Sequence, residues 1–189
     1  MARPLSEEKR QAILAAATEQ VAALGTGAPT AKIAQAAGVS EGTLFTYFAT
    51  KEELLNQLFL QIGADLAETL SSSFPKKGRP RERMQRLWDA LIQWGFSNPV
   101  RHKALRQLKV SDRVNAESRQ CSDARFGKLR KMVEETLVEH MDPDRMPFYI
   151  GIVLNGFADI TIDAITASPK DYEHFRQAGF DFYWKGTEN

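Results

Sequence analysis

The chain of 189 residues has one cysteine, Cys121, and three histidines, His102, His140 and His174. A single cysteine excludes an internal disulfide and suits a reducing compartment. The histidines lie far apart in the sequence, without metal-ligand spacing to one another or to the cysteine. We therefore expect structural or exposed histidines, a semi-buried Cys121 on a helix, no metal site and no cofactor.

Strong charge of one sign is also absent, because 25 Lys and Arg residues face 24 Asp and Glu residues, a formal net charge of +1. Charge alone therefore does not indicate a nucleic-acid partner, although phosphate contacts dominate such affinity and two paired subunits would offset part of the deficit. No apolar run approaches the ~18 residues of a membrane span, and the first residues contain no signal-peptide core. We expect a cytoplasmic protein without a membrane partner.

Motifs for catalysis are missing as well. The sequence contains no nucleophile motif, no phosphate-cradling glycine loop and no paired acid and base. It also lacks the alternation of a β-strand, and its apolar residues recur at helical spacing. With 43% hydrophobic residues, the chain can fill a core. We predict an all-α protein that is not an enzyme.

The most informative stretch begins at Thr30 and reads TAKIAQAAGVSEGTLFTYFATK. Thr30 can cap one short helix, and Gly38 supplies the positive φ that a tight turn requires. Ser40 can cap a second helix, in which Leu44 and Phe48 form a buried ridge four residues apart. This order predicts a helix-turn-helix, whose second helix lies in the major groove of DNA.

These residues resemble the tetracycline-repressor (TetR-type) family of bacterial transcriptional regulators. The resemblance covers roughly residues 8–60 and rests on three motifs in the correct order. They are T-x-x-x-I-A-x-x-A-G-V-S from Thr30, G-T-L-F-x-Y-F from Gly42, and K-E-E-L from Lys51. An isolated Ala-Gly-Val triplet would be a weak signal, whereas the spaced set is specific.

The resemblance implies an N-terminal three-helix DNA-binding domain, residues 1–50, on a C-terminal helical bundle for dimerisation and ligand binding, residues 51–189. It also implies a repressor rather than an activator. The expected partner chain is a second copy, held mainly by the last two long helices at about residues 147–167 and 170–185. Residues 74–80 interrupt the helical pattern, and we interpret their basic surroundings as a solvated linker; the alternative is that this basic cluster contacts DNA.

The predicted recognition helix has no Arg, Lys, Asn or Gln, the side chains that best pair with guanine and adenine edges. Glu41 can accept a hydrogen bond from cytosine N4, and Thr43 can bond a base or touch a thymine methyl group. Gly42 lets the helix approach the DNA closely. The resemblance assigns Thr43 and Phe45 to the bases. The alternative for Phe45 is that it only packs the small domain.

Phosphate contacts are expected from polar side chains around this helix, namely Thr30, Lys32, Tyr47 and Lys51. Lys51 stands at a predicted helix N-terminus, where backbone N–H groups already favour anions. For Tyr47 the alternative is again a packing role. Because the base readers are few, we also expect a contribution from DNA shape, with Arg3 as a candidate for the minor groove.

The C-terminal part is rich in aromatic residues, which can line an apolar cavity for a small molecule. The alternative is that they simply fill a large core. Six residues are predicted to line such a pocket or to orient its ligand: Trp88, Trp94, Phe96, His102, Phe126 and Asn155.

The sequence thus predicts a ligand-responsive, DNA-binding transcriptional regulator. Its partners would be double-stranded operator DNA and an unidentified aromatic or lipophilic effector that releases the repressor. Two alternatives stay open at this point. The body could be an enzyme carrying a helix-turn-helix, or the head could be a protein-interaction module without DNA binding.

Overall fold

A computed structural model describes residues 6–187, and all regular structure in that range is helical, which confirms the all-α class. Arg3, the candidate for the minor groove, lies outside the described residues. The elements are α1 Glu7–Leu24, α2 Thr30–Ala36, α3 Glu41–Tyr47, α4 Lys51–Ser73, α5 Pro80–Ser97, α6 Pro99–Lys109, α7 Ala116–Leu137, α8 Met146–Phe148, a π-helical turn Tyr149–Val153, α9 Leu154–Ala167, a 3-10 turn Pro169–Asp171 and α10 Tyr172–Gly186.

The chain packs as two compact units. The head unit comprises Met1–Ala64 and Asn98–Asp123, and the body unit comprises Asp65–Ser97 and Ala124–Asn189. Helices α4 and α7 therefore each supply residues to both units. The predicted domain boundary after residue 50 came from the family resemblance, whereas the two units are defined by packing. The boundary therefore stays a prediction.

The core of the head unit forms where α1 packs against α6. Ile13, Ala17 and Val21 of α1 are fully buried, as are Ala104 and Leu108 of α6. Local residues fix both ends of α1. Ser6 Oγ accepts a hydrogen bond from the Lys9 N–H at 3.4 Å, and Gly25 ends the helix at φ 74°.

The predicted helix-turn-helix is formed by α2 and α3. Gly38 adopts φ 68°, and Ser40 Oγ accepts a hydrogen bond from the Thr43 N–H at 3.1 Å. The prediction that Thr30 caps α2 is wrong. Pro29, in an extended conformation with ψ 135°, occupies the cap position, and Thr30 is already the first helical residue. The Thr30 hydroxyl instead donates to the Glu41 carboxylate at the start of α3.

The core of the body unit lies among α5, α9 and α10. Trp88 of α5 is fully buried, and its indole N–H donates to the Arg176 carbonyl oxygen at 2.8 Å. Gly179 makes the approach of α10 possible, because a Cβ there would lie 2.8 Å from Trp88 Cζ2 and 2.5 Å from Thr161 Oγ1. Large aromatic residues and one glycine therefore determine how closely these helices pack.

The basic segment before and at the start of α5 is bound to the body unit rather than only solvated. Arg81 pairs with Asp181 at 2.6 Å, and Arg83 Nε donates to the Pro75 carbonyl oxygen at 2.9 Å. Arg79 pairs with Glu82, while Lys76 and Lys77 are exposed. The linker interpretation therefore holds for the two lysines and for Arg79, whose side chain is 81% exposed, but not for Arg81 and Arg83.

Residues Met146–Ala167 form one continuous helix, long and apolar enough by length and composition to cross a membrane. An 18-residue window in it has a mean hydropathy of 1.5, and 33% of that window is buried. Asn155, Asp159 and Asp163 interrupt the apolar run, so this helix does not contradict the expectation, which concerned uninterrupted apolar runs. A core helix of a soluble protein meets the same criterion, so this is weak evidence for a span.

Candidate nucleic-acid interface

Helix α3 presents a mixed surface with one exposed aromatic ring. Leu44 is fully buried, whereas Phe45 is 41% exposed. A Cβ added at Gly42 would meet no atom within 4 Å, so the first turn of α3 is open to a close approach. Phe45 is therefore not a core residue of the head, and its ring is available to a partner.

The polar groups at the start of α3 are already positioned. Thr30 donates to Glu41, which joins α2 to α3, and the Thr43 hydroxyl lies 2.8 Å from Ser40 Oγ. A carboxylate has two oxygens with about four acceptor sites, so Glu41 keeps capacity for a base amino group. Two of the predicted base readers, Glu41 and Thr43, thus have side chains held by hydrogen bonds.

Tyr47, at the end of α3, contacts the start of α1. Its hydroxyl oxygen accepts a hydrogen bond from the Ser6 N–H at 3.0 Å, and the side chain is half-buried. The phenolic O–H remains a donor, since a hydroxyl can accept and donate at the same time. This arrangement suits a phosphate oxygen, and it ties the position of α3 to α1.

The N-terminus of α4 carries a capping box. Thr50 Oγ1 accepts from the Glu53 N–H at 3.0 Å, and the Glu53 carboxylate accepts from the Ala49 N–H at 2.8 Å. Lys51, the first residue of the helix, is half-buried. Burial lowers the pKa of its ammonium, and the nearby Arg113 lowers it further, against an opposing effect of Glu52. A bound anion would stabilise the charged form of Lys51.

Sequence reasoning missed Arg113, which lies between α6 and α7 and outside the recognised motifs. Its Nη1 atom is 2.8 Å from Glu52 Oε1, which brings it to the first turn of α4. The two residues are 61 positions apart, so no local pattern could have indicated the contact. Lys32 of α2, the remaining predicted phosphate ligand, is exposed.

The six predicted pocket residues are brought together only in part. Trp88, Trp94 and Phe96 share α5, and both indole N–H groups are used, that of Trp94 on Asp65 Oδ2 at 2.8 Å. The Phe96 ring packs 5.2 Å from the Tyr172 ring. Of the other three, Phe126 and Asn155 are half-buried in the body unit, whereas His102 is buried in the head unit.

A groove of about 550 Å³ does open on the body unit, but different residues line it. The lining residues carry both signs of charge. They are Ser73, Arg86, Asp89, Ala90, Gln93, Tyr172, Glu173 and Arg176. The predicted aromatic pocket therefore stays a prediction.

Within residues 6–187 no group of three or more His, Cys, Asp or Glu side chains could hold a metal ion. Cys121 is exposed on α7, which corrects the expectation that it is semi-buried. Ser118 and Ser122 of the same helix are buried.

Comparisons with known proteins give a consistent result. Residues 13–58 match the family described as "Bacterial regulatory proteins, tetR family". A solved structure from Shewanella sp. PV-4, assigned to the TetR family of transcription regulators, is 25% identical with a TM-score of 0.84, covering 96% of this chain and 98% of that chain.

Two further structures were solved with ligands. FadR from Bacillus subtilis in complex with stearoyl-CoA is 19% identical, with a TM-score of 0.69 over 94% of this chain and 98% of that one. LfrR from Mycobacterium smegmatis in complex with proflavine is 17% identical, with a TM-score of 0.71 over 96% and 98%. The resemblance is confirmed: residues 13–58 carry the TetR-family sequence pattern, and the chain has the fold of TetR-family transcription regulators along nearly its whole length.

Proposed function

We propose that this protein is a DNA-binding transcriptional repressor that a small hydrophobic or aromatic effector releases from its operator. The observation that carries the proposal is the helix-turn-helix. Its turn is fixed by Gly38 and Ser40, and its second helix exposes Phe45 beside the open backbone of Gly42. Such a helix can enter a major groove without a side chain blocking its first turn.

The chemistry of each residue decides whether it contacts bases or phosphates. Thr43, Glu41 and Phe45 read base edges, because they lie on or beside the open first turn of α3. Tyr47 and Lys51 bind phosphate oxygens, Tyr47 through its remaining O–H and Lys51 at the N-terminus of α4. Thr30 and Lys32 of α2 add backbone contacts.

The proposed functional unit is a homodimer. Four large apolar side chains of α8, the π-helical turn, α9 and α10 are exposed, and we call them the apolar face: Phe148 at 54%, Ile152 at 65%, Ile160 at 66% and Phe182 at 65%. Phe157 packs 5.0 Å from the Phe182 ring and extends this surface. An exposed apolar surface of this kind marks an interface. Two heads on one operator would also offset the low net charge.

The effector would bind the body unit and favour a conformation that spaces the two heads wrongly for one operator. FadR and LfrR bind a lipophilic and an aromatic molecule respectively, which supports this ligand class. Relief of repression requires a differential affinity between the two states of about 10²–10⁴, or roughly 3–5.5 kcal/mol. Helix α4, which supplies residues to both units, is the proposed mechanical link.

The test is selection of bound sequences from random duplex DNA, followed by binding isotherms at several salt concentrations. Lys51→Ala and Tyr47→Phe should weaken binding to all duplexes similarly, because both residues contact the backbone. Thr43→Ala should instead relax the preference at one or two positions of each half-site, by about 1–3 kcal/mol. Lys128→Ala, which removes an exposed cation of the body unit, is the control. Absence of both enrichment and salt-dependent binding would refute DNA binding.

A further inference from the structure

A buried asparagine fastens the segment between α6 and α7 to helix α4. Asn56 is 7% exposed, and its Nδ2 donates to the Arg113 carbonyl oxygen at 3.1 Å. Its Oδ1 accepts a hydrogen bond from the Asn115 N–H at 3.0 Å. One side chain of α4 thus holds both a donor and an acceptor of this segment, residues 110–115, which we call the α6–α7 loop.

A second side chain fixes the same loop from α7. The guanidinium of Arg119 donates to three carbonyl oxygens, those of Lys109 at 2.9 Å, Ser111 at 2.7 Å and Val114 at 3.2 Å. The Ser111 hydroxyl accepts from the Arg113 N–H at 3.2 Å. The loop backbone is therefore held in place without any contribution from the Arg113 side chain.

That side chain extends to the N-terminus of α4. Arg113 Nη1 lies 2.8 Å from Glu52 Oε1, and the Arg113 side chain is 41% exposed. Its positive charge acts on Lys51, the first residue of the same helix. Two cations from distant parts of the sequence thus meet where the first backbone N–H groups of α4 lack helical partners.

We propose that Arg113 is a second phosphate-binding residue beside Lys51, so that the α6–α7 loop forms part of the DNA interface. The inference rests on the proposed DNA-binding function. A guanidinium has five N–H donors in a fixed fork, so Arg113 can keep its contact with Glu52 and still donate to a phosphate oxygen. Glu52 orients the fork in the free protein, and Asn56 and Arg119 supply the rigid backbone beneath it.

The experiment measures binding of the full-length protein to a labelled duplex enriched by selection, between 50 and 200 mM salt. Each lost phosphate contact lowers the slope of log K against log salt by about 0.9, which corresponds to about 3.5-fold over this range. Arg113→Gln should therefore flatten the slope by about 0.9 for each docked head, as Lys51→Gln should. Arg113→Lys should keep most of the wild-type slope that Arg113→Gln loses. Lys128→Gln should leave the slope unchanged.

A second variant separates phosphate binding from a purely structural ion pair. Glu52→Gln removes a carboxylate next to the proposed phosphate, so it should strengthen binding to DNA. If the pair only stabilised the head, Glu52→Gln and Arg113→Gln would weaken binding alike and lower the melting temperature alike, and the inference would be wrong.

The outcomes also separate this inference from the proposed function. If Lys51→Gln flattens the slope and Arg113→Gln does not, DNA binding stands and the role of Arg113 is rejected. If the wild-type protein binds no duplex in a salt-dependent manner, both proposals fail.

Discussion

The head and body units expose surfaces of opposite character. In the head, α3 presents Glu41, Thr43 and a single exposed ring, Phe45, on a helix whose polar groups are already hydrogen-bonded. In the body, the apolar face presents Phe148, Ile152, Ile160 and Phe182. The first surface suits a wet, charged partner such as the DNA groove, and the second suits a dry partner such as another copy of the chain.

This difference supports the proposal that one nearly neutral chain binds two kinds of partner, DNA and a second copy of itself. Net charge describes the whole molecule, whereas binding depends on local chemistry at each surface. In the proposed function, the cations that contact DNA are few and local, namely Lys32, Lys51 and Arg113. The apolar face would raise their effect by bringing two heads to one duplex.

The largest expected effect comes from a charge on the apolar face. Phe182→Glu should raise the dissociation constant of the homodimer at least about a hundredfold, or about 3 kcal/mol, because an unpaired carboxylate would be buried between the chains. Light scattering after size-exclusion chromatography measures it. Val138→Glu, at an exposed apolar residue after α7, is the control and should leave the dimer intact. If the Phe182→Glu variant remained a dimer, the dimer interface would have to lie on another surface of the chain.

The next effect probes packing inside the body. Gly179→Ala should destabilise the fold by about 2 kcal/mol, because the new Cβ would clash with Trp88 and Thr161. Gly127→Ala on α7 is the matched control, since a Cβ there meets nothing within 4 Å and the residue lies outside the apolar face. The control should be neutral or more stable by up to about 1 kcal/mol from helix propensity. Urea unfolding at one fixed protein concentration measures the stability of both variants. Equal effects of the two substitutions would rule out the close approach of α10 to Trp88 and Thr161.

Within the head, the same substitution on either side of Ser40 should have opposite effects. Gly38→Ala should cost about 1–2 kcal/mol, because its φ of 68° is unfavourable for a residue with a Cβ. Gly42→Ala should stabilise α3 by up to about 1 kcal/mol and still weaken DNA binding, because a methyl group would intrude on the open first turn. A Gly42→Ala variant with unchanged affinity would place the DNA farther from α3 than we propose.

The smallest effect concerns the buried hydroxyl of Tyr183, which has no hydrogen-bond partner among the described residues. Tyr183→Phe should raise stability by about 1 kcal/mol by removing an unsatisfied polar group. Tyr149→Phe, at a half-buried phenol, is the control.

The buried phenol of Tyr183 should also make the stability of the fold depend on pH. Burial raises the pKa of the Tyr183 phenol in the folded chain. Above about pH 10 the unfolded chain loses this proton while the folded chain keeps it, so stability falls as pH rises. Tyr183→Phe should reduce that loss between pH 10 and 11 in denaturant titrations, and an identical alkaline decline in both proteins would contradict the assignment.

The sequence predicted those features that depend on neighbouring residues. The turn at Gly38, the cap at Ser40 and the buried ridge of Leu44 and Phe48 are local, and all are present. The predicted cap at Thr30 failed although it is also local. Threonine is a good cap in general, but Pro29 takes the cap position and the Thr30 hydroxyl has a better acceptor in Glu41.

Features that join distant parts of the chain were not predictable. Asn56 meets the α6–α7 loop, and Arg113 meets Glu52, across 57 to 61 residues. The close contact of Gly179 with Trp88 likewise depends on how α5 and α10 pack. Helical periodicity identifies which face of each helix is buried, but it does not specify which other helix covers that face.

In the proposed function, two heads dock on one operator through α3 and the N-terminus of α4. The most direct test is to sequence the duplexes that the full-length protein enriches from a random pool and to measure the stoichiometry and salt dependence of the best one. We predict an inverted repeat with half-sites one helical turn or a multiple of it apart, about 34–36 Å per turn, two chains or a multiple of two per duplex, and affinity that falls with salt. If no sequence were enriched, and binding were independent of salt or involved a single chain per duplex, two heads would not dock on one operator in this way.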